Sequence, residues 1–249
     1  MSDFRRVTVS IVSHRQSALL PPLLDSLAQY CQEHIETVLL THNVLGDALS
    51  AAHYPLPVQP LFNRRPQGFG ANHNRAFHSC RTPWFLVLNP DVRFTSDAVG
   101  ALLQRATPQT GLLAPGEVDA QGNDHTELRG AVTPGELWRR HVLHRPDIAP
   151  KRGGWVRGMF MLIRSDVFAQ LHGFDEGYRL YCEDFDLCAR IMLAGYDVRQ
   201  HADIKIIHDW QRHSRRSPLS TLRHVRSLQR MWHSPIWEQY RATFENDTA

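Results

Sequence analysis

Short apolar runs that stop on polar side chains constrain this chain most. VTVSIVS at Val7–Ser13 ends on Ser13, and ETVLLT at Glu36–Thr41 leads into His42 and Asn43. Val58–Phe62 leads into Asn63, and Trp84–Leu88 into Asn89-Pro90-Asp91. Each run has the length and residue types of a strand. Helical stretches lie between them: Leu19–Cys31, with Pro21 and Pro22 tolerable only in its first turn, Ala71–Ser79, and Asp97–Ala106 with Ser96 as N-cap. Further strands are expected at Gly111–Ala114, Trp155–Arg164, Asp197–Gln200 and Ile204–His208. Further helices are expected at Ser165–Leu171, Glu183–Leu193 and Pro218–Trp232. This alternation predicts an α/β fold built on a mostly parallel, Rossmann-like sheet with helices on both faces.

Pro115–Gly154 breaks the rhythm. It is polar and rich in Gly, Pro and His, and reads as an irregular insert with a short helix near Leu137–His141. With 249 residues, 42% hydrophobic, the chain has material for one large domain at 1–217 and a helical extension at 218–249. A net charge of +3 is too small to argue for nucleic acid. Cys31, Cys80, Cys182 and Cys188 lack C-x-x-C spacing. With no apolar run of signal-peptide type, they read as reduced thiols of a cytoplasmic protein. No stretch approaches the roughly 18 apolar residues of a membrane span, so any membrane contact is expected to be peripheral.

In open α/β sheets, ligands sit beyond the carboxyl ends of the strands. Ser13, His42, Asn43, Asn63, Asn89 and Asp91 all stand at such ends. Pro90 cannot donate to a sheet ladder, so the strand stops there and Asp91 is offered at a solvent-facing end. A second signal is FNRRPQGFGANHNRAF, in which Gly68 and Gly70 permit a tight turn before a helix. The stretch lacks the third glycine of a dinucleotide fingerprint, which excludes a nicotinamide-dependent oxidoreductase on that motif. A third is GFDEGYRLYCEDFDLCARIMLAGY, where Glu183, Asp184 and Asp186 open a helix. Acids there suit the helix dipole, and one that faces a cleft can act as a general base. Asp175 reads as a loop cap. His208 closes the apolar strand IKII and reaches the edge that carries Asp91. One carboxylate and one imidazole suit a Mn2+ or Mg2+ site completed by ligand oxygens.

Together these pieces resemble the family 2 glycosyltransferases of the GT-A fold, in particular a bacterial rhamnosyltransferase-like branch. The resemblance rests on VTVSIVSH, N-RRPQ-GFGANHNRA, LVLNPDV, the block from GWVRGMF to MLAGY with its E-D-x-D-L-C-x-R, and IIHDWQRHS. It implies an inverting hexosyltransferase that uses a dTDP- or UDP-linked sugar and a divalent metal. It further implies a saccharide or lipid-linked saccharide acceptor, in cell-surface polysaccharide synthesis. On it, Asp91 and His208 are the metal and diphosphate contacts, and Asp184 is the general base. Glu183 and Asp186 shape the pocket. Ser13, His42, Asn43, Asn63, Gly68, Gly70, Asn74 and Asn89 line the donor side. LLTHNVLGD departs from the family's V-D-N-x-S, with His42 at the acid's position and Asp47 at a different spacing. A nucleotide-sugar-binding protein without turnover is the alternative that this departure supports. A sugar-nucleotide pyrophosphorylase would need a glycine-rich loop after the first strand, and SHRQSALLPP is not one.

The tail is basic, with Arg212, Arg215, Arg216, Arg223, Arg226 and Arg230 and no acid between Trp210 and Trp237. Leu219, Leu222, Val225 and Leu228 fall on one helical face. Trp232 and Trp237 are of a type favoured at lipid headgroups. The reading is that Arg223, Arg226 and Arg230 meet an anionic acceptor or the membrane surface.

Overall fold

The computed structural model describes residues 6–46, 56–141, 143, 150, 153–208 and 218–244. Asp47, Arg212, Arg215 and Arg216 lie outside the described residues. The strands are β1 (Val7–Ser13), β2 (Ile35–His42), β3 (Val58–Phe62), β4 (Trp84–Leu88), β5 (Val92–Arg93), β6 (Thr110–Val118), β7 (Phe160–Arg164) and β8 (Asp197–His208). They form one sheet in the order β3-β2-β1-β4-β7-β6-β8-β5. The helices are α1 (Leu20–Cys31), α2 (Phe69–Phe77), α3 (Ala98–Gln104), α4 (Pro134–His141), α5 (Ser165–Gln170), α6 (Glu183–Leu193), α7 (Pro218–Trp232) and α8 (Pro235–Phe244).

Alternation along the strands sends side chains to two faces. Val7, Val9 and Ile11 of β1, Leu86 and Leu88 of β4, and Phe160 and Leu162 of β7 share one core with α1 and α3. Phe85, Val87, Met161 and Ile163 face the other core, which α5, α6, α7 and α8 cover. On that second face Ser10 meets the buried His73 of α2, with 2.8 Å between Oγ and Nδ1. Burial holds the His73 imidazole down at about 3, so it is neutral and structural.

The sheet is mostly parallel, as expected, but two of its eight strands run the other way. β7 runs antiparallel to both β4 and β6, and β5 antiparallel to β8. Antiparallel neighbours need no crossover helix. The 119–159 segment therefore leaves β6 and enters β7 on the same edge of the sheet. That edge carries the carboxyl ends of β1, β2, β3, β4, β6 and β8.

Several local expectations are corrected. The cap of α3 is Asp97, whose Oδ1 accepts the Gly100 N–H at 2.8 Å, and not Ser96. Trp155 and Val156 are buried, but strand pairing begins only at Phe160; Trp155 makes a single bridge to Arg129. Asp197–His208 is one strand, because β6 accommodates the polar residues between its halves by a register shift at Pro115/Gly116. Gly68 is the N-cap of α2, which begins at Phe69 and not at Ala71.

The tail packs on the sheet domain. Leu228, Met231, Trp237 and Tyr240 join the second core, and the Trp237 and Tyr240 rings meet Phe185 of α6 at 5.4 and 4.9 Å. Trp232 donates its indole N–H to the Val132 carbonyl at 2.7 Å. Both tryptophans are thus engaged inward, against the expectation that they face lipid. No helix among the described residues is long and apolar enough to cross a membrane. The four cysteines are free.

Candidate active site

The strand ends meet as the parallel pairing dictates. Ser13 pairs with His42, and His42 with Phe62, so Ser13, Asn43 and Asn63 cluster. The Asn43 carboxamide oxygen accepts from Asn63 Nδ2 and from the Gln67 N–H, each at 2.8 Å. Asn63 also donates to Asn72 Oδ1 at 2.6 Å and accepts from Arg75. His42 stacks on Phe62 at 5.0 Å. Asn43 and Asn63 therefore brace the 63–72 turn, and Phe62, 53% exposed, offers an aromatic surface beside them.

Asn72 takes the place that the sequence reading gave to Asn74. Side chains two apart on a helix point to different sides. Asn74 faces away and fastens Phe174, accepting its N–H at 2.8 Å and donating to its carbonyl at 2.9 Å. Gly68 and Gly70 serve close packing: a Cβ would press on the Arg179 carbonyl in one case and on the Phe174 side chain in the other.

β4 stops at Leu88, and Asn89-Pro90-Asp91 turns, with the Val92 N–H reaching the Asn89 carbonyl at 3.3 Å. β5 then pairs Val92 with His208, which sets Asp91 beside the imidazole. His208 Nε2 lies 3.4 Å from Asp91 Oδ1. Asp91 is 8% exposed, so it is buried and not solvent-facing as expected. Its Oδ1 is in ion-pair range of His208, yet it accepts no hydrogen bond. The other imidazole nitrogen, Nδ1, contacts Glu117 Oε2 at 3.0 Å. Glu117 is fully buried and also pairs with Arg157.

Sequence reading missed Glu117 and Arg157. Glu117 stands at the start of the polar insert, where only the length of β6 reveals a strand end. Among the described residues no group of three or more His, Cys, Asp or Glu is arranged to hold a metal. The buried, hydrogen-bond-free oxygen of Asp91 facing an imidazole nitrogen nevertheless fits a divalent cation that takes its remaining ligands from a bound molecule.

The second half of the site starts α6. Tyr181 and Cys182 both have left-handed φ, 72° and 69°, which is uncommon for non-glycine residues and marks a constrained entry. Asp184 accepts the Phe185 N–H at 2.9 Å and the Gly158 N–H at 3.1 Å. Burial raises the Asp184 carboxyl above the usual range, against these N–H groups and the charge of Arg129. Glu183 is raised well above by burial and by its neighbour Asp184, and its Oε2 has no partner. Asp186 is bound to Arg190 at 2.8 Å, a turn further on. That pair fastens α6 to the Leu171 carbonyl through Arg190 Nη1 at 2.8 Å. Asp175 caps its own loop through the Gly177 N–H at 2.8 Å.

A carboxyl whose folded pKa is raised lowers stability as pH climbs from the ordinary carboxylate range through the raised value. Glu183→Gln is therefore expected to raise the melting temperature by a few degrees at pH 7 and to change it little near pH 4. A thermal scan at the two pH values checks this; an equal shift at both would reject the charge explanation.

The two halves are joined by adjacent residues. Met159 accepts the Asn89 N–H at 2.9 Å, while Gly158 donates to Asp184. The Asn89-Pro90-Asp91 turn and the candidate base thus hang on one segment just before β7.

Comparison with known proteins identifies the family. The family model for glycosyl transferase family 2 matches residues 8–168. An N-acetylglucosaminyl-diphospho-decaprenol L-rhamnosyltransferase of Mycobacterium tuberculosis is 30% identical over 156 residues, 56% of this chain and 51% of that protein. The rhamnosyltransferase WbbL of Escherichia coli is 44% identical over 63 residues, 25% of this chain and 24% of that protein. The chain thus aligns with about half or less of the length of these relatives. Among solved structures, a mannosyltransferase from Pyrobaculum calidifontis in complex with GDP-Man and Mn2+ superimposes with a TM-score of 0.60 at 14% identity, over 98% of this chain and 76% of that one. GalNAc-T7 with UDP, GalNAc and Mn2+ does so with a TM-score of 0.66 at 15% identity, over 100% of this chain and 52% of that one. At such identities the likeness speaks for the fold, which is GT-A. The chain belongs to glycosyl transferase family 2 and, within it, is rhamnosyltransferase-like.

Proposed function

We propose that the protein moves a sugar, rhamnose or a similar hexose, from a dTDP- or UDP-linked donor to a hydroxyl of a saccharide or lipid-linked saccharide, with inversion. The observation that carries this reading is the shared 158–159 segment. It ties a buried oxygen suited to a cation, on Asp91, to a carboxylate of raised proton affinity, on Asp184. Displacement with inversion needs both, on opposite sides of the sugar. Asp91 and His208 would hold a Mn2+ or Mg2+ ion, which offsets charge on the leaving diphosphate. Glu117, in contact with Nδ1, orients the His208 imidazole with Nε2 towards Asp91. Asp184 takes the acceptor's proton as its oxygen attacks. Phe62 and His42 offer a stacking face for the base, with Ser13, Asn43, Asn63 and Asn89 around it. The N-acetylglucosaminyl-diphospho-decaprenol relative supports a lipid-linked acceptor and, with it, work at the cytoplasmic face of the membrane.

A thermal-shift panel of nucleoside-diphosphate sugars with and without Mn2+ tests the reading. A dTDP- or UDP-sugar is expected to raise the melting temperature, and more so with the metal. No shift with any member of the panel would overturn it.

A further inference from the structure

The middle of α7 and the 177–179 segment border a cavity of about 340 Å³. That volume lies within the range of small-ligand pockets. Gly177, Arg179, Leu222, Arg223, Arg226, Ser227 and Arg230 line it. Four of these are arginines. Arg230 is neutralised by Asp175 at 2.8 Å and lies over the Tyr178 ring. Arg179, Arg223 and Arg226 have no carboxylate partner among the described residues.

The walls are fixed. Ser227 donates to the Leu180 carbonyl at 2.8 Å, and the Arg179 carbonyl accepts the Phe69 N–H at 3.1 Å. The Arg230 guanidinium lies directly over Gly177, where a Cβ would displace it. The backbone that carries these arginines is thus fixed around a concavity, where gathered like charges favour an anionic ligand. Beside them Leu222 and Val225 are 47% and 44% exposed on a helix whose Leu228 and Met231 are buried. Cations next to bare apolar side chains match a molecule with an anionic group on an apolar chain.

We propose that this pocket binds the diphosphate of a prenyl-diphosphate-linked molecule, with Arg179, Arg223 and Arg226 as its ligands and Leu222 and Val225 along the chain. Guanidinium forks bind phosphate oxygens bidentately, which suits two linked phosphates better than a dispersed surface charge. Placement favours an acceptor role. Residues 179–184 run from the pocket through Tyr181 and Cys182, the two left-handed residues, to Asp184. A diphosphate held at Arg179 would keep its attached sugar near the candidate base. In that respect the inference rests on the transfer reaction proposed above.

The test is calorimetric titration of the full chain, in chelator and without metal, with farnesyl diphosphate and with inorganic pyrophosphate. The Arg223→Gln/Arg226→Gln variant is compared with wild type. Wild type is expected to bind farnesyl diphosphate more tightly than pyrophosphate, and the variant to lose about 10-fold or more of that affinity. Its affinity for the donor sugar with Mn2+ should not change. Undiminished farnesyl diphosphate binding by the variant, or none by wild type, overturns the proposal. A second arm uses phosphatidylcholine vesicles carrying either a prenyl diphosphate or phosphatidylglycerol at equal charge. Preference for the diphosphate vesicles supports the pocket; equal binding to both overturns it in favour of a general basic surface. Donor binding is read separately, so its failure would reject the transfer reaction and leave the pocket's own result standing.

Discussion

Asp184→Asn is expected to lower the rate of sugar transfer by about 10²-fold or more, the usual scale for a lost general base, with little change in donor affinity. Asparagine keeps the shape, and its carboxamide oxygen still accepts the Gly158 or Phe185 N–H that holds the wild-type carboxylate. What it loses is the ability to take a proton. The wild-type pH profile should carry the same signature. Burial raises the Asp184 carboxyl, and the base works only when ionised. Activity should therefore climb on a limb above the ordinary carboxylate range, and that limb should vanish in the variant. Steady-state kcat across pH, together with a donor titration, measures both. The rival carboxylate is Asp186, but it is committed to Arg190 at 2.8 Å. Asp186→Asn is expected to act first on stability, by loosening α6 from the Leu171 carbonyl. A dead Asp186→Asn of wild-type stability beside an active Asp184→Asn would transfer the base role to Asp186.

The sheet was largely legible because strand length and polar termini are local signals. Val7–Ser13, Val58–Phe62, Trp84–Leu88 and Glu183–Leu193 have the expected limits. The direction of β7 was not legible. Phe160–Arg164 is buried on both faces whichever way it runs, so its sequence carries no mark of antiparallel pairing. α8 was overlooked although Ile236, Trp237, Tyr240 and Phe244 have helical spacing and Ser234 caps them, accepting the Trp237 N–H at 3.1 Å. The attraction of two tryptophans to an interfacial reading hid a plain amphipathic helix. Residues at the ends of adjacent parallel strands do lie together, since one rule places them all. Glu117 was not legible, because it acts through His208, and a contact across β6 and β8 leaves no trace in spacing. The sequence does not give the phase of α2; the packed helix turns Asn72 to Asn63 and Asn74 to Phe174.

Asp91→Asn is expected to reduce Mn2+-dependent donor binding by about 10²-fold or more, while binding without metal changes little. Outer-sphere partners of metal ligands typically cost 10–100-fold when changed, and a ligand carboxylate should cost at least as much. The effect should be this large because, at the proposed site, the protein would supply few ligands, Asp91 and His208, and the remaining oxygens would come from the diphosphate. Removing one charge leaves an imidazole alone, which is a poor site for Mg2+ or Mn2+. The fold should survive the change. Asp91 is buried, yet its Oδ1 accepts no hydrogen bond, so asparagine breaks none there and removes a charge from a buried position. The melting temperature without metal is therefore expected to stay level or rise. Calorimetric titration of the donor with and without Mn2+, paired with a thermal scan, separates the outcomes. Equal metal enhancement in wild type and variant would remove Asp91 from the metal site. A large drop in melting temperature would show instead that its charge stabilises His208 and the β5–β8 pairing, and that donor binding suffers through the fold.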